Sequence, residues 1–488
     1  MKPLASLGLF FLGACTSALT NGGAGDFGAT PGGIKDLRLA RELIAKGLIP
    51  PADALLVEAM FAEHDLPVDG PPCASTLCLR AAAGFAPEVD GTPRGWAQIG
   101  LSSSIDPDAF VRPSTTFVFT VDVSGSMGWG FGDDEHPTPG RLAKQLMHAL
   151  ADELRPDDRV AIVTYGTGVA TALSLRSGSR AQDVHAAVDA LREDGSTNME
   201  AGLRRAIAVA EQAPSLGATR QTRIVLFTDT QPNVGATTGS EFEEIVSGAA
   251  AKGIHTTVLA LGLGIGPEVM RGMAAVRGAN AYSLTRAAEV EQFMAEDYPW
   301  FTTPIAFGLR VNFTAGDWSI QRGLGFPAAS DAAQVGLKAE TVFLSRHRGA
   351  LLAAFASPGG DPATTPAGLA GTVSLAYTEP AGTPVAVAVP FGHDGGAVDA
   401  RGHWFAQHGA ARTTALALFT EAMHAAAAAY ATHPDDAEAI MGAAQARFAA
   451  DAEALADADL PVEVELGAAL LKLIVDRAEQ GTLYGDYR

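Results

Sequence analysis

Between Thr115 and Tyr298 the chain alternates β-prone runs with helical segments, and this alternation constrains the fold more than any other feature. Thr116-Phe-Val-Phe-Thr-Val-Asp122 is nearly continuous in β-branched and aromatic residues, the mark of a strand buried on both faces. Helical patterns over Arg141–Leu154, Val184–Leu191, Met199–Gln212, Ser240–Lys252, Pro267–Val276 and Ala288–Phe293 separate further runs at Arg159–Thr164, Val169–Ser174, Arg223–Asp229, Ile254–Leu261 and Ala279–Leu284. Strands alternating with helices predict a doubly wound, mostly parallel sheet covered on both faces. Ligands of such sheets sit beyond the carboxyl ends of the strands.

The flanks have a different texture. Ile34 to Phe61 is helical in pattern, with a Pro50-Pro51 break. Cys78 to Pro113, and then Pro304 to Ala400, read as short strands between Gly and Pro breaks, as in Leu309-Arg-Val-Asn-Phe313 and Val385-Ala-Val-Ala-Val389. Thr413–Tyr430, Ala437–Leu455 and Val464–Gln480 are helical. The expected fold class is multidomain α/β plus β: the α/β unit inserted into a β-sandwich built from both flanks, with helical N- and C-terminal segments. The expected division is 34–72 helical, 73–114 and 301–400 sandwich, 115–300 α/β, and 401–488 helical. Entry to and exit from the inserted unit should then lie together, opposite its ligand edge.

The informative polar residues fall at that edge. Asp122-Val-Ser124-Gly-Ser126 ends the first strand, Gly195-Ser-Thr197-Asn198 precedes a helix, and Thr228-Asp229 ends the fourth strand. Ser124, Ser126 and Thr197 offer neutral oxygens, and Asp122 and Asp229 offer carboxylates. An all-oxygen set with few acids suits a hard cation, Mg2+ first, with Ca2+ or Mn2+ as substitutes. Two acids do not fill an octahedron, so water and an outside carboxylate would complete it.

These residues resemble the metal-ion-dependent adhesion site (MIDAS) of the von Willebrand factor type A (VWA) domain, whose D-x-S-x-S, later Thr and later Asp match Asp122, Ser124, Ser126, Thr197 and Asp229 in order. Gly25-Asp26-Phe27, Leu48-Ile-Pro-Pro-Ala-Asp53, Asp157-Asp-Arg-Val-Ala-Ile-Val-Thr-Tyr165 and Asn233-Val-Gly235 resemble bacterial YfbK-like lipoproteins. The resemblance implies a membrane-anchored, metal-dependent binding protein whose protein partner presents an Asp or Glu carboxylate to the ion. Two departures stand out. Thr230 occupies the position where the family has Gly, in a turn that favours positive φ. The loop from Gly128 to Gly140 is long and places Asp133, Asp134 and Glu135 near the site, as a cover, an internal ligand or a simple solvated loop.

The N-terminus supplies the address. Leu4–Leu12 is too short to span a bilayer but fits the apolar core of a signal peptide, and no other stretch is long and apolar enough to cross one. Leu12-Gly-Ala-Cys15 resembles the bacterial lipoprotein signal, which implies removal of residues 1–14, lipidation of Cys15, and a tether over 15–33. The alternative is an ordinary secretory signal with an incidental Cys. Thr16 after the Cys points to the outer membrane of the bacterial envelope. Outside the cytosol, the C-x4-C pair Cys73 and Cys78 reads as a local disulfide.

Other functions find little support. The chain carries 34 basic against 55 acidic residues, a net charge of -21, which argues against nucleic-acid binding. It has no Gly-Lys dipeptide and hence no P-loop for a nucleotide. Gly262-Leu-Gly-Ile-Gly266 lacks dinucleotide spacing and reads as a turn. No G-x-S-x-G elbow falls at the first motif, and no His or Glu is placed as a general base, so an enzyme is not expected. A third reading is a metal-stiffened scaffold whose C-terminal helices make the contacts.

Overall fold

The computed structural model describes residues 26–130, 135–193, 195–213, 220–298, 300–327, 337–358 and 365–483. The signal segment, Cys15, Asp133 and Asp134 lie outside the described residues.

In chain order, β1 (Phe27–Pro31) and β2 (Gly33–Ile34) lead to α1 (Arg38–Ala45), α2 (Val57–Glu63) and the hairpin of β3 (Cys78–Pro87) and β4 (Pro93–Ser103). The α/β unit follows as β5 (Ser114–Asp122), α3 (Pro139–Asp152), β6 (Arg159–Tyr165), β7 (Val169–Ser177), α4 (Ala181–Asp189), α5 (Met199–Ala210) and β8 (Arg220–Thr228). It continues through α6 (Gly239–Ala250), β9 (Ile254–Leu261), α7 (Pro267–Ala274), β10 (Asn280–Leu284) and α8 (Ala288–Glu296). Then come β11 (Pro304–Thr314), β12 (Ser319–Leu324), β13 (Leu337–Ser345), β14 (Gly349–Ala356), β15 (Ala370–Thr378), β16 (Pro384–Gly392) and β17 (Trp404–Phe405). Helices α9 (His408–Tyr430), α10 (Pro434–Leu455) and α11 (Leu460–Val475) complete the described elements.

The α/β sheet has the order β2-β10-β9-β8-β5-β6-β7. Its neighbours are parallel except β7, which runs antiparallel along β6. β5 is central and, past its first residue, fully buried, as its unbroken apolar run requires. Apolar clusters cover both faces of this sheet.

Strands from before and after this unit pair into a second, ten-stranded sheet. β4 is its corner, because one of its edges is divided between two partners. Gly95–Leu101 pairs with β14, and Ser102 and Ser103 pair with β1. The half around β3, β4 and β14 thereby folds over the half around β13, β11 and β15. Ile99, Leu351 and Phe355 meet Leu309, Val342 and Leu375 in one core. Phe355 packs against Phe313 and Phe391 from the opposite half, with ring centroids 5.5 and 5.9 Å apart. Cys73 and Cys78 are joined by a disulfide at the entrance to β3.

The tether expected over 15–33 is corrected at its C-terminal end. Phe27–Pro31 is a buried strand between β4 and β13, and after Gly32 the chain enters the other sheet, Gly33 pairing with Asn280. Glycine is required at this crossover. Gly33 has φ +88°, and a Cβ there would stand 2.8 Å from the Pro327 ring. Composition suggested a tether because the partners of these strands are remote in sequence.

Entry and exit of the α/β unit meet. Arg112, just before β5, donates to Tyr298 Oη at 3.1 Å, just after α8, and its guanidinium forks onto the buried Asp158 ahead of β6. Asp158 also accepts the backbone N–H groups of Thr115 and Arg155.

The C-terminal helices are fastened by their acids. Arg41 forks onto Glu463 at 2.8 and 3.1 Å, and His64 Nε2 lies 3.1 Å from the same carboxylate. Burial pushes the Glu463 carboxyl up, but the bonds from His64 and Arg41 prevail and hold it below the usual range. Arg412 meets Asp457 and Asp459, and Arg401 meets Asp451. Among the described residues no helix is long and apolar enough to cross a membrane.

Arg112→Ala should leave Asp158 buried without its cation and cost about 3–5 kcal/mol, read as a lowered urea midpoint. A loss below about 1 kcal/mol would show that the entry clamp contributes little.

Candidate functional site

Parallel pairing places the site. β5 lies between β6 and β8, so Asp122 and Asp229 emerge on adjacent strands at one carboxyl edge. Asp122 is 1% exposed and Asp229 2%. Asp122 Oδ1 accepts the Ser124 N–H at 2.8 Å, which turns the chain sharply after β5. Asp122 Oδ2 accepts from the Thr228 hydroxyl at 3.0 Å, across to β8. Ser124 Oγ and Ser126 Oγ are 3.1 Å apart, and Asp229 Oδ1 accepts the Gln231 N–H at 3.3 Å.

Thr197 arrives on the loop before α5. Gly125 N–H donates to Gly195 O at 2.9 Å, tying that loop to the first motif. Asn233 then fixes Thr197 from both sides. Its side-chain Oδ1 accepts the Thr197 N–H at 2.9 Å, and its own N–H donates to Thr197 O at 3.1 Å. Thr197 is buried. Gly195, at φ +87°, leaves room for Thr167, whose Oγ1 takes the Ser196 N–H at 3.0 Å. Sequence reading missed the positioning roles of Thr228, Asn233 and Thr167. The Thr-Asp and Asn-Val-Gly strings were visible, but their partners lie on other loops.

The electrostatics are those of an edge short of positive charge. Among the described residues, neither carboxylate makes a salt bridge. Burial first, and then the charge of Asp229, push the Asp122 carboxyl up to about 7, against the donors on Ser124 and Thr228. Burial likewise raises Asp229, while Ser126 and the Gln231 N–H hold it back. No three His, Cys, Asp or Glu side chains among the described residues converge to hold a metal. The donors at this edge are two carboxylates and three hydroxyls. Such a set can take up a hard dication, which would relieve the repulsion while water fills the remaining positions.

Of the three acids of the long loop, Glu135 falls among the described residues. Glu135 is exposed and pairs at 3.4 Å with Arg286, just past the carboxyl end of β10, so its carboxylate is already engaged by a cation. His136 is buried, its Nε2 2.8 Å from Glu42 and its Nδ1 3.5 Å from Lys46, both on or beside α1. Trp129, His136 and Pro139 border a cavity of about 30 Å3 that also touches Ser126, Asp229 and Leu483. Gly262 and Gly264 line its far wall, so the glycine string is a strand-to-helix turn at the site's rim.

Thr230 adopts the left-handed conformation expected of glycine, with φ +56°. Its hydroxyl holds it there, donating to Gly266 O at 2.9 Å and accepting the Gly266 N–H at 2.7 Å. The strain at Thr230 is thus set against two bonds that lock the Asp229 turn to the neighbouring loop.

Comparison with known proteins agrees with this geometry. A family model described as von Willebrand factor type A domain matches residues 117–231. These residues form a VWA domain. It is 31% identical over 227 residues to "Uncharacterized protein YfbK" of Escherichia coli (strain K12), across 46% of this chain and 38% of that one. It is 23% identical over 202 residues to inter-alpha-trypsin inhibitor heavy chain H2 of Mus musculus, across 40% of this chain and 20% of the relative. The chain therefore spans well under two thirds of these relatives. A solved von Willebrand factor type A protein from Catenulispora acidiphila superposes with a TM-score of 0.51 over 82% of this chain and 89% of that one, at 15% identity, and so shares the fold.

Two outcomes are expected. Asp122 binds its proton more tightly folded than unfolded, so with chelator present stability should fall as pH rises from about 4 to about 7. Mg2+ should raise the melting temperature most at the upper end of that window; a melting profile indifferent to Mg2+ would count against a metal here. Thr230→Ala keeps the strain and loses both bonds, and should cost about 1–3 kcal/mol. Thr230→Gly removes both strain and bonds and should cost clearly less in the same denaturation series.

Proposed function

We propose that the chain is a divalent-metal-dependent protein-binding module. Asp122, Ser124, Ser126, Thr197 and Asp229 hold the cation, Mg2+ first and Ca2+ or Mn2+ as substitutes. A partner's Asp or Glu carboxylate supplies the remaining ligand. The observation that carries this reading is the pair of buried carboxylates that, among the described residues, meet no basic side chain and are set among hydroxyls at a sheet edge that opens on a cavity. Binding the dication converts a negative, desolvated edge into one that attracts an acidic side chain.

The same reading places the protein in the bacterial envelope, anchored through a lipid on Cys15, in the outer membrane. The Leu12-Gly-Ala-Cys15 string and the Cys73–Cys78 disulfide support it. A binding role without turnover fits the cavity wall, where His136 has both ring nitrogens engaged by Glu42 and Lys46. The rival in which the C-terminal helices recruit partners is less favoured, since Leu416, Phe419, Met423 and Ala427 of α9 are spent in the core.

Calorimetry of Asp122→Ala and Ser126→Ala should show Mg2+ binding lost, with circular dichroism unchanged. Unaltered metal affinity in both would remove the site assignment. Crosslinked capture from native membranes should fail with chelator present. Capture indifferent to chelator would favour the scaffold, and a turnover lost in these variants would favour an enzyme.

A further inference from the structure

On the flank of the α/β unit, α3 and α4 each carry the spacing His-x-x-x-Asp: His148 and Asp152 on one, His185 and Asp189 on the other. The two pairs cross. His148 Nε2 lies 3.1 Å from Asp189, and His185 Nε2 lies 3.0 Å from Asp152. The two Nδ1 atoms face each other at 2.7 Å. The rings are inclined by only 13°, with centroids 5.0 Å apart. That separation is close to the 2.7 Å contact plus one ring radius on each side, so the imidazoles lie edge to edge and share one line.

The hydrogen count follows. Each Nε2 needs its proton to meet a carboxylate, and one further proton must lie between the two Nδ1 atoms. Three ring protons on two imidazoles make one positive charge against two carboxylates. The cluster is left one charge short of neutral.

We propose that this cluster is a second metal site, for a borderline transition dication of the Cu2+ or Ni2+ class, bound by Nδ1 of His148 and Nδ1 of His185. The ion replaces the shared proton. Two metal–nitrogen bonds form, one proton leaves to solvent, and the dication with the four side chains is neutral overall. Each ligating imidazole keeps its far N–H on a carboxylate, the arrangement that orients and strengthens metal-bound histidines. With bonds of about 2.0 Å, cis nitrogens on a square-planar or octahedral ion stand ~2.8 Å apart, against ~3.3 Å on a tetrahedral one. The 2.7 Å separation favours the former. The rings must tilt so that their lone pairs converge, and at 33% and 30% side-chain exposure they have room to do so. Water completes the coordination, since the carboxylates occupy the far nitrogens. The imidazole donors set this site apart from the oxygen set at Asp122, and an ion held here would clip α3 to α4.

The full chain, kept in excess Mg2+, is titrated with NiCl2 by calorimetry in two buffers of different ionisation heat. One saturable site releasing about one proton per ion is expected. His148→Asn and His185→Asn should each lose it, and Asp152→Asn should weaken it about tenfold. Asp122→Ala should leave it intact. With CuCl2, electron paramagnetic resonance should show two equatorial nitrogens in the wild type and at most one in either histidine variant. Equal Ni2+ affinity in wild type and both histidine variants, or no saturable binding in the wild type, would overturn the proposal and leave the cluster a proton-bridged clasp between two helices.

Discussion

Two carboxylates buried side by side are the constraint around which the rest is arranged. Because β5 and β8 are parallel neighbours, Asp122 and Asp229 cannot avoid each other at the carboxyl edge. Burial would ordinarily be relieved by a basic partner, and here the neighbours are hydroxyls and backbone amides. The edge therefore keeps an unmet demand for positive charge. The surrounding loops are fixed to preserve it. Asn233 holds the Thr197 loop, and Thr230 accepts a strained backbone so that the Asp229 turn stays locked to Gly266. These contacts keep five oxygen donors from collapsing onto alternative partners, which is how a site remains ready for an ion.

The second unit is continuous with the first in a physical sense. Residues Phe27–Ile34 contribute a strand to each sheet, and α1 supplies Glu42, which pins both His136 and Arg286. The loop that leaves the first motif is thus held by residues almost a hundred positions earlier. The strong acidity of the chain has a similar use. Glu463 and Asp451 attach the C-terminal helices to Arg41 and Arg401 on the rest of the molecule, and Asp457 ties the turn after α10 to Arg412 on α9.

Much of this was legible in the amino-acid order, for a local reason. The run ending at Asp122 declares a doubly buried strand through its own composition, and the first-motif residues Asp122, Ser124 and Ser126 are close in sequence. What was hidden depends on distant partners. Phe27–Pro31 has the composition of a linker and becomes a strand only because β4 and β13 offer edges. Arg41 and Glu463 are 422 residues apart, so no local pattern links them. The two His-x-x-x-Asp spacings are visible on paper, yet nothing in them says that α3 and α4 will cross at those rings. Thr230 was flagged as a misfit, and the compensating bonds to Gly266 were not, because they come from another loop.

The clamp at Arg112 and Tyr298 has a mechanical consequence. The two covalent connections to the inserted unit leave from nearly one point, and a body joined at one point is free to swivel. Three further attachments lie away from that pivot: β2 against β10, His136 against Glu42, and the Leu483 N–H on Leu263 O at 3.1 Å. They act as guy lines. A pull on the carboxyl edge is then carried to the sandwich as tension along several braces, so that the head resists twisting where a single joint would turn.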